Sequence, residues 1–563
     1  MFGILIGLCC VLTSCGSAIS PIESITNTNL VLKNTDEFKE AKSMSALGNQ
    51  KLLVIPVEFK GEREFNEEDL TRIQKGFFAD NLSTSEGKNY YSVREFYEKS
   101  SMNQLHIEGE VTDVLKVPYT IEEMTKDKNY FPGVPAQYFM DQESISNEYF
   151  QSFDQDHDGY VDGVVFIYST PTSERTGNFW AWVANFATES DIERPTFFRH
   201  MWCGIDFFHR GGYDVDAHTI IHETGHLLGL RDYYPSDNYN LALGGHSMMD
   251  YNISDHDPYS KMLLSWAEPT YYDFKKNKKI KVDLPAFQNT NQFILLNTNW
   301  NHSVMDEYLL IEYYTPTGLN ELDAKNPYEN RPLGFTESGI KIYHVDSRIA
   351  RCHYSNETYT ILFDEYVDEI PETYDEGTYY LIGASNSNKD SRTDASRQGR
   401  YKQVALVENK PYNQLQSGVS ADNDSLFQVG DVFDSSSSAY LLNGQWNSKE
   451  DIGFTLKVEQ MNEEYATLTI EYRASSSARR SQNSERMRRP APSPAKCRST
   501  PPLHSRRNAI PCAEPTATPT ERRSPISSSW YGRFCFRAGS ESSMRWTPAI
   551  SACCCPTVPS WPR

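Results

Sequence analysis

The first regular pattern along the chain is the apolar run Leu52-Leu53-Val54-Ile55-Pro56-Val57 within 51–59, which predicts a strand buried on both faces. Ser92-Val93-Arg94-Glu95 has the form of a capping box, and Val93, Phe96 and Tyr97 mark the buried face of the helix it starts. Leu105 to Val111 alternates as a half-buried strand does, and Val164-Val165-Phe166-Ile167-Tyr168 reads as another buried one. Ile220, Ile221, Leu227 and Leu228 supply the apolar side of a helix that Asp214 or Asp216 can cap and that Gly229 ends. Tyr259 to Trp266 predicts a further helix, after which the period changes to two over 307–313, 339–345, 454–458 and 466–472. In the closing pair, Phe454, Leu456 and Val458 are expected to share a face with Ala466, Leu468 and Ile470. The pattern as a whole predicts an α+β protein, with helices on a mixed sheet over 51–268 and a β-rich domain over 269–473.

Composition divides the chain again. Residues 474–563 carry 15 Lys+Arg against 4 Asp+Glu, or +11, so the total of −22 leaves −33 on residues 1–473. So acidic a body disfavours nucleic acid as a partner and suits an extracellular or calcium-binding protein. The basic segment 474–563 loses all periodicity and ends near Cys553-Cys554-Cys555, as a disordered tail or an out-of-frame artefact would. At the other end, 1–15 is a short apolar run closing on Leu12-Thr13-Ser14-Cys15, an export signal whose Cys15 stands where a bacterial lipoprotein is lipidated. The expected location is secreted or extracellular, with membrane contact only through that lipid anchor. Residues 16–50 are polar and read as a linker or short propeptide. Cys203 and Cys352 are the only cysteines between 16 and 473, and spacing does not say whether they pair.

The chemistry concentrates in His222-Glu223-Thr224-Gly225-His226, an H-E-x-x-H order that puts two imidazoles one turn apart on one helix face. That spacing suits a single zinc ion, and Glu223 can reach a water at the metal and take its proton. After Gly229 the chain can turn and bring Asp232 back as third ligand, similar to the metzincin pattern H-E-x-x-H-x-x-G-x-x-H with aspartate last. His218 lies on the same face, but at 1.5 Å per residue it is ~12 Å from His226 along the axis and cannot share the ion. Gly244 to Tyr251 resembles a Met-turn, with Met249 beneath the metal and Tyr251 placed to assist an oxyanion. A second metal motif is Asp154-Gln155-Asp156-His157-Asp158-Gly159-Tyr160-Val161-Asp162, the front of a calcium loop. Its candidate ligands are Asp154, Asp156, Asp158, Tyr160 and Asp162, and no glutamate stands at its twelfth position, Val165. The aromatic stretch 171–213 suits either the rim of a cleft or the cover of a sheet.

These marks together resemble the immune inhibitor A family of secreted bacterial metallopeptidases, over roughly residues 50–470. The resemblance rests on the strand 53–59, the segment from Ser92 to Val111, the Asp154 to Asp162 loop, the zinc motif with Asp232, the Met-turn, Tyr259 to Trp266, and 308–312 followed by 339–346. It implies a metzincin-like zinc peptidase domain with an active-site helix, Zn2+ and Ca2+ as cofactors, and protein or peptide substrates. His222, His226 and Asp232 would hold zinc, and Glu223 and Tyr251 would be catalytic. Arg231 departs from the proline common at that place in the family. The rival is a non-catalytic surface adhesin or carbohydrate-binding lipoprotein with a structural metal, which would ordinarily need four protein ligands. Among enzymes the rival is a gluzincin whose third ligand is a later glutamate, nearest Glu268.

Overall fold

The computed structural model describes residues 44–125, 133–172, 179–186, 188–234, 241–355, 358–367, 370, 378–386 and 402–473. The export segment with Cys15, residues 16–43 of the polar linker and the basic tail lie outside these, as does the side chain of Cys352. All described residues fall in one compact unit.

The strand Gly48–Phe59 is the axis of a six-stranded mixed sheet. Leu105–Val111 and Gly163–Tyr168 flank it in parallel, Arg199–Gly204 follows in parallel, and Trp182–Asn185 closes the edge antiparallel. Leu115–Val117 runs beside the second half of the axial strand. The uninterrupted apolar run has its reason here: Leu52 and Val54 face one core, whereas Leu53, Ile55, Val57 and Phe59 face another. The strand starts at Gly48, ahead of the apolar run, and Met44 is already fully buried, so the last residues of the polar stretch belong to the fold.

On the first face lie three helices, Glu67–Phe78, Val93–Ser100 and His218–Leu227, which contribute Ile73, Phe77, Phe96, Tyr97, Ile220 and Ile221 to the core. Ser92 caps the second of these by accepting the Glu95 N–H at 3.0 Å. The box is only half formed, because the Glu95 carboxylate turns away to Ser83 and Lys99. Gly133–Met140 and Asn147–Gln151 cover the opposite face with Ala136, Phe139 and Phe150.

Among the described residues after Leu263, strands outnumber helices and build two further large sheets. One sheet orders Val404–Val407, Gly339–Asp346, Glu307–Tyr314, Ile294–Leu296 and Thr270–Tyr271; a second orders Lys279–Pro285, Tyr465–Tyr472, Phe454–Met461 and Val432–Asp434. Along Glu307–Tyr314 the period-two pattern separates two neighbours. Leu309, Ile311 and Tyr313 pack with Leu456, Val458, Leu468 and Ile470 of the second sheet, whereas Tyr308, Leu310 and Tyr314 join the core that carries His218–Leu227. The closing pair meets as expected, with Leu456 opposite Ile470 and Val458 opposite Leu468 before a bulge shifts the register. The helix predicted over 259–266 is shorter, Pro258–Leu263, started by Asp257 and by proline in its first turn. No helix among the described residues is long and apolar enough to cross a membrane.

Candidate metal centre

The helix His218–Leu227 has no side-chain cap at Ala217. Asp216 instead accepts the His218 N–H at 3.0 Å, while Asp214 is drawn away to the Lys88 N–H at 2.9 Å. At the other end Gly229, at φ +94°, lets the chain reverse. Gly229 N–H donates to the His226 carbonyl at 2.9 Å and Leu230 N–H to the Gly225 carbonyl at 3.0 Å, the paired bonds of a Schellman turn. This reversal returns Asp232 to the helix.

Asp232 Oδ1 lies 3.1 Å from Nε2 of both His222 and His226. His222 Nδ1 is 2.7 Å from the Met248 carbonyl and His226 Nδ1 is 2.8 Å from the Leu230 carbonyl. A carbonyl can only accept, so each Nδ1 carries a proton and donates it, which turns both Nε2 atoms toward Asp232. The three ligand atoms lie within 4.8 Å of one another. Two imidazoles and one carboxylate are a donor set that zinc takes, and three ligands leave a fourth position open. Arg199, 5 % exposed, clamps the His226 carbonyl through Nε at 3.0 Å and a terminal nitrogen at 2.9 Å, fixing the second imidazole from its backbone. Burial would raise the Asp232 pKa, but His226 and His222 hold it well below the usual carboxylate range.

Glu223 is 7 % exposed, and burial pushes its carboxyl up against the opposing pull of His226 and His222. Met249 lies directly against the helix: a Cβ on Gly225 would come within 2.5 Å of its sulfur, so any larger residue there would push the methionine aside. Tyr251 ends the short helix Met248–Tyr251, half-buried, with the Arg331 guanidinium 4.7 Å over its ring. Neither Glu268 nor Asp250, the acid within the Met-turn, joins the set among the described residues. Asp250 is fully buried and accepts the Gly245 N–H at 2.7 Å, and Glu268 is exposed.

In the acidic loop, oxygens of Asp154, Asp156 and Asp162 come within 4.8 Å of one another. Asp154, 2 % exposed, accepts the N–H groups of Asp158 and Gly159, both at 3.1 Å, and Asp162 accepts that of Gln155 at 2.7 Å. Asp158 lies outside the converging set and accepts the Tyr160 N–H at 2.9 Å. Burial, with repulsion from Asp156, Asp154 and Asp158, pushes Asp162 up to about 7. Such crowding of carboxylates is what a cation relieves.

His218 is a packed histidine. Its Nδ1 lies 2.6 Å from Asp216 and its Nε2 3.0 Å from Asp323, with the ring stacked between Tyr90 and Tyr328. Of the aromatics in 171–213, Phe197, Trp202, Phe207 and Phe208 are core. Cys203 is buried and free.

A family model described as the immune inhibitor A peptidase M6 catalytic domain matches residues 52–137. Over that segment the chain is similar to the immune inhibitor A peptidase family. The match covers the axial strand from Leu52 onward and the helices Glu67–Phe78 and Val93–Ser100, and ends before the H-E-x-x-H motif. The matched segment supports the motif directly, since Tyr97 O–H donates to the Ile221 carbonyl at 2.7 Å. No curated protein matches the chain. Met248, Leu230 and Arg199 were not foreseen from sequence. Two act through or upon backbone carbonyls that any residue supplies, and Arg199 stands 27 residues from the carbonyl it holds.

Proposed function

We propose that this metallopeptidase is a zinc-dependent endopeptidase, secreted or held at the cell surface through Cys15, that hydrolyses peptide bonds of extracellular proteins. The convergence of His222, His226 and Asp232, with both Nδ1 atoms tied to carbonyls, supports zinc and a metzincin-like third ligand. Bound there, zinc would polarise the scissile carbonyl and acidify a water. Glu223 takes the proton of the attacking water and delivers it to the leaving amine, for which a carboxyl pKa raised by burial is suited. The Tyr251 hydroxyl donates to the oxyanion, and Met249 packs beneath the helix to hold the ligands in register. The Asp154, Asp156 and Asp162 cluster supports a calcium site that steadies the loop, with Asp158 and Tyr160 as further ligands.

The test is hydrolysis of casein by the purified chain, before and after zinc is stripped with 1,10-phenanthroline and restored. Cleavage that stops and returns is expected. Cleavage indifferent to the chelator, or absent from zinc-loaded protein, would sink the proposal.

A further inference from the structure

Arg331 comes from the β-rich half of the chain, in the loop between the helix Glu321–Lys325 and the strand Gly339–Asp346. The loop is pinned on both sides of the metal helix and the turn beneath it. Tyr328 stacks on His218 at 3.9 Å, and Arg331 N–H donates to the Tyr328 carbonyl at 3.0 Å. Gly334 N–H donates to the Asp323 carbonyl at 2.9 Å, and Phe335 stacks on His246 at 3.8 Å. Pro332 packs so closely on Gly245 that a Cβ there would meet its Cγ at 2.9 Å and Tyr251 at 3.1 Å. The guanidinium is thereby set over the Tyr251 ring, in the same short helix whose Met248 carbonyl orients His222.

Held so firmly, Arg331 still forms no ion pair among the described residues, although Asp250 is near enough to feel its charge. Its Nε is buried with no hydrogen-bond partner, and no described carboxylate forms an ion pair with it. Asp250, the neighbouring acid, gives one oxygen to Gly245 and makes no bond to Arg331. A guanidinium is a fixed fork of donors matched to a carboxylate, and leaving such donors unpaired is costly enough that a partner from outside is favoured. Its residue is only half-buried, so that partner can arrive from solvent.

We infer that Arg331 is a specificity residue that binds a carboxylate of the peptide substrate beside Tyr251. This rests on the proposed peptidase reading for the identity of the ligand. The carboxylate can be an acidic side chain or a chain terminus. A lysine would not serve equally, because it lacks the planar fork.

The experiment is equilibrium binding, by fluorescence anisotropy, of labelled Ala/Phe hexapeptides to zinc-loaded Glu223→Gln protein. One amidated series carries Glu, or isosteric Gln, at each position in turn; a second compares free-acid with amide termini. Preference for Glu at one position, or for the free acid, by about tenfold or more is expected. It should vanish in Arg331→Gln and survive in part in Arg331→Lys, with melting temperature measured alongside. Equal binding of charged and neutral peptides by the parent, or a preference unchanged in folded Arg331→Gln, would overturn the inference. Binding is read without hydrolysis, so failure of casein cleavage would count against the peptidase reading and leave this test standing.

Discussion

One helix carries three histidines, and its two ends treat them oppositely. At the start, both His218 nitrogens meet carboxylates, Asp216 and Asp323, and tyrosines cover both ring faces. Burial would lower its pKa, but those carboxylates outweigh burial and raise it to about 9, so His218 is a charged structural strut. Toward the end, His222 and His226 give Nδ1 to backbone carbonyls and keep Nε2 for a shared centre. The difference lies in the partner of Nδ1. A carbonyl leaves the far nitrogen basic and aimed, whereas a pair of acids saturates the ring.

The largest effect that would break this comparison is in the third ligand. Asp232→Ala should lose zinc and hydrolysis together, Asp232→His should keep the metal, and His218→Gln should keep it in full; metal analysis of the folded variants decides. Glu223→Gln should lower turnover by about 10²–10⁴-fold with zinc content unchanged, if, as proposed, it moves protons and does not bind the ion. Zinc lost from that variant would make Glu223 a ligand. Arg199→Ala sharpens the role of the backbone and should weaken zinc about 10–100-fold in a competitive chelator titration.

His218 predicts a smaller, pH-dependent effect. Its pKa is about 9 in the folded chain and ~6.5 in the unfolded one, so its contribution is full below pH ~6.5 and is lost as pH rises through 9. Denaturant melts from pH 6 to 9.5 should therefore show wild type losing its advantage over His218→Gln as pH rises. A constant difference would mean that His218 is not charged. The smallest expected effect is at the acidic loop. Calcium at 100 times its dissociation constant should add about 2.7 kcal/mol, seen as a raised melting temperature that Asp154→Asn abolishes.

Much of this was determined by the sequence alone. The spacing of His222 and His226 sets both rings on one helix face whatever surrounds them, because helical geometry is local. Gly229 and Asp232 extend the same logic by one turn of chain, and the run from Leu52 to Val57 demands cover on both faces. The period-two segments near the end likewise announced their pairing. What lay beyond reach was everything set by contacts between distant residues. Nothing in the pattern says that Met248 and Leu230 offer carbonyls to the imidazoles, since a carbonyl has no sequence signature. Nor does it say that Arg199 holds His226, that Asp323 arrives 105 residues later to charge His218, or that Arg331 is laid over Tyr251. Spacing chose the candidate ligands; the fold chose the groups that orient them, because orientation depends on which strands and loops the core brings alongside the helix.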